Sequence, residues 1–109
     1  MKKYTLKKAI DAIEKCGWAV HQYDDSIEIE NWSPEGENLV YELGIDTLVD
    51  DLHEIYEYYD PEEHVETLII AKQNGLSGVP CASALVYDSE KIDEMLSDLL
   101  NAVQDAMKQ

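Results

Sequence analysis

The sequence contains no arginine, so all eight of its basic residues are lysines. Arginine supplies the planar fork that binds phosphate and carboxylate groups through two parallel hydrogen bonds. Its absence argues against a site that recognises phosphoryl groups. Lysine is also missing from the whole stretch between Asp24 and Glu66, which holds sixteen of the 24 acidic residues. We therefore expect this stretch to form a surface of one charge sign and to carry the binding function.

The negative charge is unevenly distributed along the chain. Residues 1–17 carry five lysines and two acids, whereas residues 18–109 carry three lysines and 22 acids, for a net charge of -16. The negative electrostatic field of such a chain repels nucleic acids and anionic membranes and attracts basic proteins or cations. A hydrophobic fraction of 45%, with two tryptophans and seven tyrosines, is typical of a globular domain and not of a disordered acidic tail. We therefore expect a basic protein partner, with no direct nucleic-acid contact and no membrane contact.

Cysteine is scarce, and long apolar runs are missing. Cys16 and Cys81 lack metal-ligand spacing, which predicts two reduced, half-buried thiols and a cytoplasmic setting. No run is long enough to cross a bilayer, and no apolar segment follows the first lysines as in a secretion signal. The glycine-rich segment Gly75 to Pro80 lacks the preceding strand and the lysine of a phosphate loop. We expect a connecting loop there and no cofactor.

The 109 residues predict a single α+β domain over positions 1–109. Thr5 is predicted to cap a first helix over about Leu6 to Cys16, which Gly17 ends. Alternation of apolar and polar residues then predicts an antiparallel meander of three strands. The strands begin at Trp18, Ser26 and Asn38 and are separated by turns at Asp24-Asp25 and at Ser33 to Glu37. One face of the sheet should be exposed to solvent and acidic.

Helical signals fill the rest of the chain. Asp46 is predicted to cap a second helix, and Asp60-Pro61 to begin a third helix that buries Val65, Leu68 and Ile69. Asn74-Gly75 should end that helix. A short helix over about Cys81 to Tyr87 and a longer one restarting at Asp88-Ser89 complete the chain. The predicted fold is an N-terminal helix, a three-stranded antiparallel meander, and three to four helices packed on one face of the sheet.

Two groups of residues are candidates for partner binding. Acidic residues with no basic neighbour within a turn line the second helix, so their mutual repulsion must be offset elsewhere in the fold. Tyr58 lies off the apolar stripe of that helix, as Trp32 lies off the inward face of its strand, and both residue types are favoured at interfaces. The predicted contact residues are Glu28, Glu30, Trp32, Asp50, Asp51, Glu54, Glu57 and Tyr58.

A metal site and a catalytic site are the competing hypotheses. His53, Asp60, Glu63 and His64 form the one histidine and carboxylate cluster that could be tested as a metal site, but they lie on different predicted helices. We expect solvent-facing side chains there and no metal. The cysteines have no identifiable histidine partner, so we predict no enzyme. A small metal- or thiol-dependent enzyme around His53, His64 or Cys81 is the alternative, as is a structural homodimer joined through an apolar patch.

The segments Trp32 to Glu37, Asp60 to Glu66 and Asn74 to Pro80 together carry a resemblance to known proteins. Over roughly residues 30 to 100 the chain resembles small acidic bacterial proteins of gut-dwelling Gram-positive species, which are often encoded on mobile elements. The resemblance brings no established activity, since these segments are turns and helix caps. A mobile-element setting implies proteins that meet host defence systems, including acidic mimics of DNA. The predicted function is a non-enzymatic acidic protein that binds a basic protein, with a DNA-mimic-type inhibitor as its narrower form.

Overall fold

The computed structural model describes residues 3–73 and 81–108, which form four helices and one three-stranded sheet. The elements in chain order are α1 (Lys3–Lys15), β1 (Ala19–Gln22), β2 (Ser26–Trp32), β3 (Asn38–Gly44), α2 (Leu48–Tyr58), α3 (Pro61–Gln73) and α4 (Ala82–Met107). The predicted α+β class is confirmed, as is the order of a helix, a three-stranded antiparallel sheet and further helices.

The first helix ends as predicted but begins earlier. Gly17 has a φ of 93°, its N–H donates to the carbonyl of Glu14 at 2.9 Å, and the Trp18 N–H donates to the carbonyl of Ile13 at 3.4 Å. This is the Schellman arrangement, which Gly17 can adopt because it has no Cβ. The predicted cap at Thr5 is wrong, since α1 begins at Lys3. Lysine is a good helix former, so the helix continues beyond Thr5 toward the N-terminus.

The sheet has the predicted strands and the predicted two faces. Its order is β1-β2-β3, with Ile27 opposite Leu43 and Glu28 opposite Glu42 in the second pair. Ile27 and Leu43 are fully buried on the inner face. The turn between β2 and β3 is closed by the Gly36 N–H, which donates to the carbonyl of Ser33 at 2.9 Å. Residues on the outer face alternate with the core residues, which leaves the acidic side chains toward solvent.

Helix α2 begins without the cap that the sequence predicts. Its first flanking residue is Thr47, so the predicted cap at Asp46 is wrong. The Asp51 carboxylate, one turn into the helix, accepts hydrogen bonds from the Thr47 hydroxyl at 2.9 Å and from the Gly44 N–H at 2.8 Å. A carboxylate in the first turn also interacts favourably with the helix dipole. Asp51 therefore secures the junction between β3 and α2.

Helix α3 begins at Pro61, as predicted. The Asp60 carboxylate accepts hydrogen bonds from the N–H groups of Glu62 at 3.0 Å and Glu63 at 3.4 Å. The predicted helix stop at Asn74-Gly75 and the predicted connector Gly75 to Pro80 lie outside the described residues.

Helix α4 is continuous, so the predicted restart at Asp88-Ser89 is wrong. The Ser89 hydroxyl donates within the helix to the carbonyl of Val86 at 2.8 Å. The Asp88 carboxylate instead accepts hydrogen bonds from Ser33 at 2.8 Å and from the Glu35 N–H at 2.9 Å. Because these partners lie in the β2–β3 turn, Asp88 does not act as a helix cap. No described helix is both long and apolar enough to cross a membrane.

The hydrophobic core lies between the inner face of the sheet and helices α1, α2 and α4. Its buried residues are Leu6, Ala9, Ile13, Trp18, Ile27, Ile29, Leu39, Leu43, Leu48, Leu52, Ile92, Leu96, Leu99, Leu100 and Val103. The described residues of α3 contribute none of them, and α3 packs against α4. Val65, Leu68 and Ile69 are therefore only partly buried, which corrects the prediction that α3 buries them.

Candidate functional site

A groove of about 400 Å³ runs between β3 and α2. Its lining consists of Glu42 from β3 and Asp51, Glu54, Ile55 and Tyr58 from α2. The four helical residues follow the spacing i, i+3, i+4 and i+7, which places them along one side of the helix. The ring of Tyr58 is 75% exposed at the end of this row. The structure thus brings three of the predicted contact residues, Asp51, Glu54 and Tyr58, into one concave surface.

Glu42 completes the groove and was not among the predicted contact residues. It lies directly opposite Glu28 in the β2–β3 pair, on the outer face of the sheet. Like charges in directly opposed positions destabilise a sheet, so this pair lowers stability unless a cation lies near it. The alternation in β3 could have identified Glu42 as outward-facing, but only the packing of α2 beside β3 places it in the groove.

The outer face of the sheet continues the acidic surface. Glu30 lies opposite Val40, and Glu28 also lies opposite His21 on β1. The side chain of Trp32 is 53% exposed and that of Val40 is 43% exposed. The predicted exposure of Tyr58 and Trp32 is thus confirmed, whereas their role in partner contact stays a prediction. Two apolar side chains beside carboxylates give this face the mixed character of a protein-binding surface.

Ion pairs within the described ranges do not neutralise this surface. Lys91 pairs with Glu94 at 3.2 Å, and both residues lie on α4. None of the ion pairs among the described residues involves the acids of the groove, the outer sheet face or the exposed side of α2. These acids, which have no ion pair among the described residues, are Glu28, Glu30, Glu42, Asp50, Glu54 and Glu57, and among them Glu30 accepts a hydrogen bond from the Asn38 amide at 3.2 Å. Their field is available to attract a positively charged group from outside the chain.

The predicted metal cluster does not assemble. His53 extends toward α4, where its Nε2 lies 3.1 Å from the amide nitrogen of Gln104. Asp60 caps α3, and Glu63 lies with it on a shallow surface pocket beside His64. His64 is directed to Glu37 instead, with 2.7 Å between its Nε2 and the carboxylate Oε2. The expectation of a solvent-facing His64 is wrong, because these two atoms are buried.

A different group of potential metal ligands forms where three elements meet. Glu37 from the β2–β3 turn, His64 from α3 and Asp88 from α4 each offer a ligand atom within 4.8 Å of the others. These positions are 27 and 24 residues apart in the chain, so no sequence spacing could have indicated the group. The ring centroids of Tyr59 and His64 lie 5.9 Å apart. Burial, followed by the negative charge of Glu37, raises the pKa of Tyr59 above the ordinary tyrosine value.

The two cysteines are both free thiols, as predicted. Cys16 is partly buried, and this burial, together with the nearby Asp98, raises the pKa of its thiol. A raised pKa reduces the thiolate fraction at neutral pH, which disfavours Cys16 as a nucleophile. Cys81 is exposed and not half-buried as predicted.

Comparison of the chain with family models, with curated proteins and with solved structures finds no match.

Proposed function

We propose that the protein is a non-enzymatic interaction protein whose acidic surface binds a basic protein partner. The groove between β3 and α2 carries this proposal, because it places the carboxylates of Glu42, Asp51 and Glu54 beside the exposed ring of Tyr58. A lysine or arginine side chain of the partner fits this combination chemically. Its charged end would lie among the carboxylates, and its cationic group would gain about 0.5–2 kcal/mol from stacking on the tyrosine ring.

The charged and the apolar residues contribute differently to such an interaction. An exposed ion pair stabilises a complex by only about 0–1 kcal/mol, so the acids mainly accelerate and orient the encounter. Affinity and specificity come from aromatic residues that lose water at the interface. Tyr58 in the groove and Trp32 on the outer sheet face are two exposed aromatic side chains on this surface, and they supply this contact.

A DNA-mimic-type inhibitor is the narrower form of this proposal. The partner would then be a nucleic-acid-binding protein whose basic face the acidic surface occupies. The net charge of -16 and the unpaired acids on β2, β3 and α2 support this form. If the protein is a DNA mimic, duplex DNA should displace it from its partner. A competition titration measures this displacement directly.

The test compares two variants, each with two acidic residues replaced by lysine, that differ only in where the substituted residues lie. The groove variant carries Glu42→Lys and Glu54→Lys, and the control carries Glu14→Lys on α1 and Asp105→Lys on α4, both exposed positions. Asp51 stays unchanged because its carboxylate holds Thr47 and Gly44. We expect tagged wild-type chain and control to capture the same basic protein from native lysate, and the groove variant to lose it. Circular dichroism checks that both variants keep the wild-type helix content.

Three outcomes contradict the proposal. Equal capture by the groove variant and the control would mean that the acidic groove is only a solubility feature. An association rate that does not fall in moderate salt would also count against it, since exposed charges are screened beyond about 8 Å at physiological ionic strength. A chain that captures no partner and forms stable dimers in light scattering would favour the homodimer.

A further inference from the structure

We propose that Glu37, His64 and Asp88 form a binding site for one divalent transition-metal ion, for which Zn²⁺ is the test ion. The site lies apart from the acidic groove and is independent of the function proposed above. Its ligand atoms, one from each residue, all lie within 4.8 Å of one another. A metal ion there would join the β2–β3 turn, α3 and α4, and α3 otherwise contributes no described residue to the core.

The contact between His64 and Glu37 is compatible with a bound cation. The Nε2 of His64 and the Oε2 of Glu37 are 2.7 Å apart, and both atoms are buried. Neither atom has a hydrogen-bond partner of suitable geometry among the described residues, although the two lie at ion-pair distance from each other. A neutral imidazole carries its proton on only one of its two nitrogens. An Nε2 without that proton and a carboxylate oxygen both present lone pairs and repel at this distance, and a metal ion between them removes that repulsion, as a proton on Nε2 also would.

Asp88 is held in position for a ligand. Its side chain is 1% exposed, its Oδ2 accepts a hydrogen bond from the Ser33 hydroxyl at 2.8 Å, and its Oδ1 accepts one from the Glu35 N–H at 2.9 Å. Each oxygen keeps a second lone pair. Ligating carboxylates are commonly oriented by such hydrogen bonds from outside the metal's own ligand set. The ring centroids of Tyr59 and His64 lie 5.9 Å apart in a tilted contact.

The ligand chemistry selects a transition metal over magnesium or calcium. One imidazole nitrogen with two carboxylates suits zinc and its neighbours, whereas magnesium and calcium prefer oxygen ligands alone. Two carboxylates also balance the charge of a divalent ion. Zinc bonds of about 2.0–2.1 Å place tetrahedral ligand atoms about 3.3 Å apart. Glu37 and His64 must therefore separate slightly from 2.7 Å, and any pair of ligand atoms nearer the 4.8 Å limit must approach. Three protein ligands leave one coordination position for water.

The experiment titrates chelator-treated full-length chain with ZnCl₂ in a calorimeter, in buffer of moderate salt. We expect one ion per chain and a higher melting temperature in its presence. His64→Gln and Glu37→Gln should each weaken the affinity by more than about tenfold, since even outer-shell changes reach that size. His21→Gln and His53→Gln, which change the other two histidines, are matched controls and should leave binding intact.

Cobalt gives a readout that does not depend on stability. Co²⁺ bound in the site should show visible absorption bands that Zn²⁺ displaces and that His64→Gln removes. Asp88→Asn is a poor test by itself, because this residue also anchors the β2–β3 turn. Unchanged affinity in His64→Gln would overturn the proposal. Weak binding of several ions, equal in all variants, would also overturn it, because it would place the ions on the acidic surface.

Discussion

Ser33 and Asp88 are joined by a buried hydrogen bond, in which the serine Oγ donates to the carboxylate Oδ2 at 2.8 Å across 55 residues of chain. The same serine oxygen accepts a hydrogen bond from the Glu37 N–H at 3.0 Å, and the Glu35 N–H donates to the other Asp88 oxygen at 2.9 Å. The turn between β2 and β3 is therefore fastened to α4 by a polar network. Buried polar groups stabilise a fold only when their hydrogen bonds are made, as they are here.

Ser33→Ala should lower the free energy of unfolding by about 1–3 kcal/mol, because the buried Asp88 carboxylate loses a donor. Urea titrations in the presence of a chelator measure this loss without any contribution from metal. Ser97→Ala, at a partly buried serine of α4, is the control and should change stability by less than about 0.5 kcal/mol. In a double-mutant cycle with Asp88→Asn, the two effects should be less than additive. Strictly additive effects would show that the hydrogen bond contributes no coupling.

Asp51→Ala should destabilise the fold, whereas Asp50→Ala should not. The Asp51 carboxylate accepts hydrogen bonds from the Gly44 N–H and the Thr47 hydroxyl, and Asp50 is exposed. Loss of a charged acceptor should cost about 1–3 kcal/mol, while the neighbouring substitution should stay within about 0.5 kcal/mol. Chemical denaturation of the two variants gives the comparison. Equal stability of both would mean that the junction of β3 and α2 does not depend on this carboxylate.

Tyr59 should make the protein sensitive to alkali. Its pKa is raised by burial, followed by the charge of Glu37, so the folded chain keeps a proton that the unfolded chain loses above about pH 10. The stability from this group is fully present below that pH and is lost as pH rises through the raised pKa. Tyr59→Phe should therefore reduce the fall in urea midpoint between about pH 9 and pH 11. Tyr58→Phe, at an exposed ring, is the control, and the same slope in both variants would contradict the prediction.

Sodium chloride should raise the melting temperature at pH 7. Glu28 lies opposite Glu42 across the sheet, and Asp50 and Glu54 lie one turn apart on α2, so like charges are close in the folded chain. Salt at about 0.1 M weakens the repulsion between such exposed charges, with a screening length of about 10 Å. Glu28→Gln combined with Glu54→Gln should make the salt dependence smaller. A melting temperature that falls with added salt would show that favourable contacts hold these carboxylates.

The sequence by itself determined much of the local structure of this protein, although the predicted caps at Thr5 and Asp46 are wrong. Gly17 ends α1, Asp60 and Pro61 begin α3, and Gly36 forms the turn before β3, because each signal acts through residues within a few positions of itself. Strict alternation placed Ile27 and Ile29 inside and Glu28 outside for the same reason. The exposure of Trp32 and Tyr58 follows from periodicity as well. The acidic character of the stretch between Asp24 and Glu66 is visible in composition alone.

Only the tertiary structure decided which partner each polar side chain finds. Asp88 has the chemistry of a helix cap, but the β2–β3 turn, 53 to 55 residues away, supplies its donors and leaves α4 unbroken. His64 lies near Glu37 and Asp88 because α3, the β2–β3 turn and α4 are adjacent in the fold. Glu42 lines the groove only because α2 packs beside β3. A carboxylate or an imidazole has the same hydrogen-bonding capacity wherever it lies in a sequence. The packing of elements that are distant in sequence determines which partners lie within reach of it. Both proposed sites depend on this packing.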